Sequence, residues 1–217
     1  MSCLVKLYCE ERGIEASLAN NGDDCLVFMD RRSLSRFSEG LAEWFLEMGF
    51  NMKVETPVFE FEHCEFCQCQ PVWSGLEWLM VRNPYVALSK DVVGLGLSTE
   101  REYQQWCYAV GVGGLSLYGD LPLFCSLYTR MAEVGLASRM NRSLLYQSSG
   151  FFRMLSYQVR RTDGRSIVLD ECRLSFARAF GISPALQAVW ESHLGGLSFQ
   201  LREGRPVGVE LSGIFPV

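Results

Sequence analysis

The sequence predicts an α+β fold: an antiparallel β-hairpin packed by helices in its first half, followed by a mainly helical second half. Three observations carry this expectation. The stretch Asn20-Asn21-Gly22-Asp23-Asp24 stands between alternating apolar positions (Ile14, Ala16, Leu18) and the unbroken apolar run Cys25–Met29, which is the pattern of two strands joined by a tight turn. Phe37, Leu41, Trp44, Phe45 and Met48 recur at helical spacing. From about residue 98 onward the pattern is mostly helical, with Gly and Ser clusters as separators.

In chain order, Leu4, Leu7 and Tyr8 share one helical face and Gly13 closes that helix. The hairpin follows, and its apolar second run predicts a strand covered on both faces. Ser33 is the candidate N-cap of a helix through Met48, ended by Gly49. Strands are expected at about 53–62 and 64–73, and helices near 99–110, 121–134, 143–158, 170–180 and 184–194, with glycines at 111–116 and the cluster at 148–150 as breaks. The least charged window, Tyr103–Thr129, reads as buried helices rather than a membrane span, since Gln104, Gln105, Gly113, Gly114 and Pro122 interrupt it.

Of the 217 residues, 48% are hydrophobic and 21% charged, so a real core can be buried and a disordered or fibrous chain is excluded. Lys6, Glu10, Glu11 and Arg12 break the first apolar stretch before it reaches the length of a signal peptide. Nine cysteines, an odd number without a regular framework, read as reduced thiols. The net charge of −5 is unevenly spread: residues 1–97 hold 8 basic and 15 acidic groups, residues 98–217 hold 12 and 10, and every basic group of the second part is Arg. Arg suits phosphate, but solvated helices account for it as well. The composition shift near residue 95 divides the chain into expected domains 1–95 and 96–217.

Chemistry concentrates at Gly22-Asp23-Asp24. A tight turn between strands holds two carboxylates at the edge of a sheet, where Mg²⁺ needs only a few hard oxygens and takes the rest from water and substrate phosphates. Asp as a plain turn former is the competing explanation. Nearby, His63, Cys64, Cys67 and Cys69 offer soft ligands for zinc, yet no second Cys-x-x-Cys pair exists and strand alternation sends Cys64 to the opposite face from Cys67 and Cys69. His193 lies between Trp190 and Leu194 as a packed or surface residue, and no nucleophile motif supports a Cys-His protease.

Three stretches in order, Asn20–Val27, Met48-Gly49-Phe50-Asn51-Met52-Lys53-Val54-Glu55 and Glu65-Phe66-Cys67-Gln68, extended by Met80–Pro84 and Ser89-Lys90-Asp91, resemble palm motifs C, D and E of viral RNA-dependent RNA polymerases, nearest the tombusvirus and carmovirus group. The resemblance implies a partial polymerase palm over residues 1–95 and a helical thumb over 96–217. It implies that Asp23 ligates Mg²⁺, or Mn²⁺ in its place, with Asp24 as companion ligand, and that Gly22 shapes the turn beside the RNA. Lys53 becomes a cation near the triphosphate able to protonate the leaving pyrophosphate, with a solvated lysine as the alternative. Cys67 and Gln68 would grip the primer strand, and Arg82 and Lys90 would meet RNA or triphosphate. Arg139, Arg142, Arg153, Arg160 and Arg161 are candidates for lining an RNA channel.

The implied partners are the RNA template and nascent strand, nucleoside triphosphates, and the upstream polymerase half carrying motifs A and B and the fingers, whether on the same longer chain or in trans. Residues 1–13 resemble the tail of the motif B helix. The isolated chain is therefore expected to be inactive, and its place of work to be the host cytoplasm, at membrane-associated replication complexes. The alternative function is a non-catalytic RNA-binding or assembly protein built on a polymerase-like half-palm.

Overall fold

A computed structural model describes residues 1–94, 97–135 and 167–199, with the backbone of 201–202 and 205–206. The expected first helix forms as α1, Ser2–Glu11, burying Val5, Tyr8 and Cys9 at helical spacing. The Tyr8 hydroxyl donates to the Phe37 carbonyl at 2.6 Å, with the Glu39 carbonyl at 3.0 Å. Its ring meets Phe37 and Trp44 edge-on, and the Arg12 guanidinium lies 3.7 Å above its centre. The one helix expected over 33–48 is instead two, α2 (Leu34–Ser38) and α3 (Leu41–Glu47), because the chain passes through the left-handed region at Gly40 (φ 69°). Ser33 precedes α2 without a side-chain cap; Asp30 supplies the bond instead, accepting from the Arg32 amide ahead of a short 3₁₀ turn.

The hairpin pairs β1 (Ala16–Asn21) with β2 (Asp24–Met29) antiparallel, in the register Leu18 opposite Val27 and Asn21 opposite Asp24. Leu18, Cys25, Val27 and Met29 pack onto the cluster of Val5, Tyr8, Ile14, Leu41 and Phe45. The opposite face, with Ala19, Leu26 and Phe28, is only partly covered: Phe28 is 38% exposed although the Phe61 ring stands 6.4 Å away. The expected burial of β2 on both faces is thus corrected to one. No strand forms over 53–62; residues 51–58 are irregular and lead to a 3₁₀ turn at Phe61–His63. Pro57 removes a ladder donor there, and Val54, Val58 and Phe59 remain exposed.

The chain divides into two compact units, Met1–Cys69 and Gln70–Val217. The division precedes the composition shift near 95 for a physical reason. β3 (Cys69–Trp73), its partner β4 (Trp78–Arg82) and α4 (Pro84–Asp91) contribute Val72, Val81, Ala87 and Leu88 to the core of the second unit. Of the strand expected over 64–73 only the last part forms, and β4 and α4 are elements beyond those the sequence pattern predicts.

α5 (Glu100–Tyr118) starts with a full capping box from Thr99 and Glu102. It runs through the glycines expected to end it, because a Cβ at Gly111 would overlap the Ala132 backbone and one at Gly114 the Tyr128 ring. These glycines let α6 (Phe124–Val134) approach closely. α7 (Asp170–Phe180) and α8 (Pro184–Gly195) form where expected, and their Phe176, Trp190 and Leu194 join the same core. Leu201–Arg202 pairs with Arg205–Pro206. The helix expected over 143–158 lies outside the described residues, as do Arg139, Arg142, Arg153, Arg160 and Arg161. No helix among the described residues is long and apolar enough to cross a membrane.

Candidate functional site

The β1–β2 register leaves a two-residue loop, Gly22-Asp23. Gly22 takes φ 67° while Asp23 stays out of the positive region. The first loop position is therefore the one that demands glycine, as in a type II′ turn. Asp23 stands at the tip, and Asp24, opening β2, shares the outer face of the hairpin with its cross-strand partner Asn21. Both aspartates are exposed.

Side chains on either side of the loop hold it. The Asn20 amide donates to the Gly22 carbonyl at 3.2 Å and to the Asp24 carbonyl at 2.9 Å, and its own oxygen accepts from the Ser2 hydroxyl at 2.9 Å. The Asn21 amide donates to Cys67 Sγ at 3.2 Å. Cys67 and Gln68 form a second tight turn, with Phe66 and Cys69 exchanging two backbone hydrogen bonds of 2.8 and 3.0 Å. Both turn residues have positive φ, 52° and 60°, the signature of a type I′ turn built without glycine, at a cost on the order of 1 kcal/mol each. The structure therefore brings Gly22, Asp24 and Cys67 into one neighbourhood through Asn21, and the first unit ends directly after this turn.

The remaining candidates stand apart. Lys53 is exposed in the irregular stretch and pairs with Glu55 at 3.2 Å, not on the expected strand. Arg82, at the end of β4, is engaged by its own unit: its guanidinium forms a two-pronged pair with the buried Asp91, 3.2 Å on one prong, and Tyr128 donates to the same carboxylate at 2.6 Å. Burial opposes charge on Arg82, but the Asp91 carboxylate outweighs it and the guanidinium is held firmly protonated. Burial, then Asp91, pushes the Tyr128 hydroxyl well above the ordinary tyrosine range. Lys90 is exposed in the last turn of α4.

His63, Cys64, Cys67 and Cys69 do not converge, since no group of three or more His, Cys, Asp or Glu able to hold a metal occurs among the described residues. His63 faces Glu60 at 4.0 Å and Cys64 Sγ the Glu60 carbonyl at 3.9 Å. The donor set at the hairpin fits Mg²⁺ as a partial site: two hard, exposed carboxylates on a well-held turn. What the sequence reading missed is the pair of asparagines before Gly22. Their capacity to bond neighbouring backbone was the available signal.

A family description, viral RNA dependent RNA polymerase, matches residues 1–202. The RNA-directed RNA polymerase of Oat chlorotic stunt virus (isolate United Kingdom) is 40% identical over 89% of this chain, and that of Pothos latent virus (isolate Pigeonpea/India) is 41% identical over 89%. The enzyme of Carnation mottle virus is 35% identical over 94% of the chain. The chain spans about a quarter of these curated relatives, 27, 25 and 26% of their respective lengths. No solved structure matches. A match running from residue 1 to residue 202, through both tight turns and most of the helical unit, means that the chain belongs to the viral RNA-dependent RNA polymerase family.

Proposed function

We propose that this chain supplies the Gly-Asp-Asp turn and the helical portion of an RNA-directed RNA polymerase, acting with an upstream part that completes its active site. The observation that carries this reading is the hairpin loop itself: Gly22 at φ 67° turns the chain so that Asp23 and Asp24 stand at the open end of a two-stranded sheet.

In this reading Asp23 and Asp24 hold Mg²⁺, or Mn²⁺ in its place, together with carboxylates from the upstream part. The bound ions would neutralise charge on the triphosphate and lower the barrier to attack by the primer hydroxyl. The 3′-oxygen forms a bond to the α-phosphorus, the bond to pyrophosphate breaks, and the hydroxyl proton is lost to solvent or base. Lys53, exposed and paired with the surface carboxylate of Glu55, swings from Glu55 to the triphosphate and gives the leaving pyrophosphate a proton. The Cys67-Gln68 turn contacts the primer strand near the reacting end. Partners are the template and nascent RNA, nucleoside triphosphates and the upstream part, and the place of action is the host cytoplasm at membrane-associated replication complexes.

The test is RNA extension by this chain expressed together with its upstream coding region, with Mg²⁺ and a template RNA, wild type beside Asp23→Ala. Extension by the wild type and none by Asp23→Ala is the expected outcome. A folded, RNA-binding wild type that extends nothing overturns it and moves the chain to the non-catalytic RNA-binding class.

A further inference from the structure

The two peptide groups that bracket the aspartates are both anchored by one side chain. The Gly22 carbonyl belongs to the peptide plane directly before Asp23, and the Asp24 carbonyl to the plane directly after Asp24. The Asn20 amide donates to both, at 3.2 and 2.9 Å. Its remaining polar atom accepts from Ser2 at the start of α1, so both its donors and its oxygen are used and the bracket is tied to the helix beneath the sheet. Asn20 lies opposite Cys25, on the face that packs onto the core.

Asn21, one residue on, points to the other face, where its amide meets Cys67 Sγ at 3.2 Å. Cys67 sits in a turn that two non-glycine residues hold at positive φ, a conformation that survives only where its surroundings enforce it. The catalytic loop is thereby gripped from its two faces by consecutive residues of β1. Asparagine is the residue type this demands on the inner face: serine has one donor, aspartate none, and glutamine is a methylene longer.

We propose that Asn20 and Asn21 are positioning residues that brace the Gly22-Asp23 loop from opposite faces, so that Asp23 and Asp24 meet the divalent cation already oriented. The proposal rests on the metal-binding reading of the loop given above. Bracing acts on cation affinity because an unbraced loop must lose its freedom when the ion binds, whereas a braced one has lost it on folding.

The experiment uses the polymerase formed by this chain and its upstream part, and two readouts: Mn²⁺ binding without nucleotide, followed by the EPR signal of free Mn²⁺, and the Mg²⁺ concentration that half-saturates RNA extension. Asn20→Ala is expected to raise both half-saturation values about fivefold, the net effect left when its three exposed hydrogen bonds are exchanged for bonds to water, with the KM for nucleotide at saturating Mg²⁺ unchanged. Asn21→Ala and Cys67→Ala are each expected to raise them about twofold, and the double variant no further than either single one. A purely structural role lowers activity by the same factor at every Mg²⁺ concentration and leaves both half-saturation values in place, and that result overturns the bracing. If Asn20→Ala does not fold, the Asn21–Cys67 pair decides: unchanged or additive half-saturation values overturn the proposal. Asp23→Ala in the same titrations separates the two ideas. If it leaves Mn²⁺ binding intact, the metal-binding reading itself fails; if it abolishes binding while the asparagine variants bind as wild type, only the bracing fails.

Discussion

Arg82 is the residue whose expected and observed surroundings differ most, and Arg82→Met separates them. The resemblance to polymerase motifs assigns Arg82 to RNA or triphosphate, while the structure commits its guanidinium to Asp91, whose side chain is 7% exposed. Methionine keeps the apolar stem and removes the charge, leaving a buried carboxylate with the Tyr128 hydroxyl as its remaining donor at 2.6 Å. Breaking such a pair from one side costs about 3–5 kcal/mol. The lower end, about 3 kcal/mol, applies here because the retained Tyr128 hydrogen bond offsets part of the loss. Asp91→Asn should cost less, about 2 kcal/mol, since the guanidinium that loses its carboxylate is 24% exposed and reaches water. Tyr128→Phe removes one hydrogen bond to a charged group, about 1.5–3 kcal/mol. Urea unfolding of the 217-residue chain, followed by tryptophan fluorescence, reads all three, and four of the five tryptophans, Trp73, Trp78, Trp106 and Trp190, lie in the second unit. RNA affinity of the folded variant is measured in parallel against salt. Full stability in Arg82→Met, together with a salt slope for RNA binding reduced by about one, would refute the structural role and return Arg82 to the nucleic acid.

Gly111→Ala drives a methyl group into the α6 backbone at Ala132 and is expected to cost about 2 kcal/mol, read by the same unfolding titration, whereas Gly195→Ala, with open space around it, should cost nothing of that kind. Burial pushes the Cys107 and Cys172 thiols up to about 12, so each contributes stability that is fully present below the ordinary thiol value and is lost as pH rises from about 9 to about 12, up to about 4 kcal/mol apiece. Thermal melts of wild type and Cys107→Ala between pH 8 and 11 should converge as pH rises. Under native conditions iodoacetamide should label the exposed Cys3 long before the buried Cys107 and Cys172, with peptide mass spectrometry as the readout.

What was legible in the sequence is what local chemistry decides. The hairpin follows from a glycine-bearing turn and two apolar runs, α8 from the helical pattern over 184–194, and the buried character of Tyr103–Thr129 from the lack of charge. What was not legible depends on partners distant in the chain. Gly111 and Gly114 read as helix breakers until α6 is set against them, because only tertiary contact shows that a side chain there has no room. Residues 53–62 alternate like a strand but find no ladder to join. β4 was hidden although Ser74 and Gly75, between Trp73 and Trp78, carried a turn signal; the Ser74 amide donates to the Glu77 carbonyl at 2.9 Å. In the candidate site the sequence singles out Asp23 and Asp24, and the structure places both, exposed, at the end of the hairpin. Their supports it does not single out, since Asn20 and Asn21 look like ordinary turn residues until their amide partners are known.

The supports also explain why the shape of this loop can be specified by so short a stretch of chain. From Asn20 to the two carbonyls it holds is a separation of two and four residues, and the β1–β2 pairing adds only the residues of one hairpin. Contacts this local form without long loop closure, so the conformation of Gly22-Asp23-Asp24 depends first on the hairpin and Ser2, with the Asn21–Cys67 contact as the one brace that comes from farther along the chain. Cation affinity does not share that independence. Two carboxylates are a partial Mg²⁺ site, and no third acidic ligand joins them among the described residues. The loop's shape is therefore set within this chain, while the cation binding proposed for it waits on ligands from outside the hairpin. It follows that Asn20→Ala should disturb the loop in the isolated chain as much as in the proposed assembly with an upstream part, whereas tight Mn²⁺ binding should appear only in that assembly; tight binding to the isolated chain would mean that two aspartates suffice, against the coordination chemistry of a hard divalent ion.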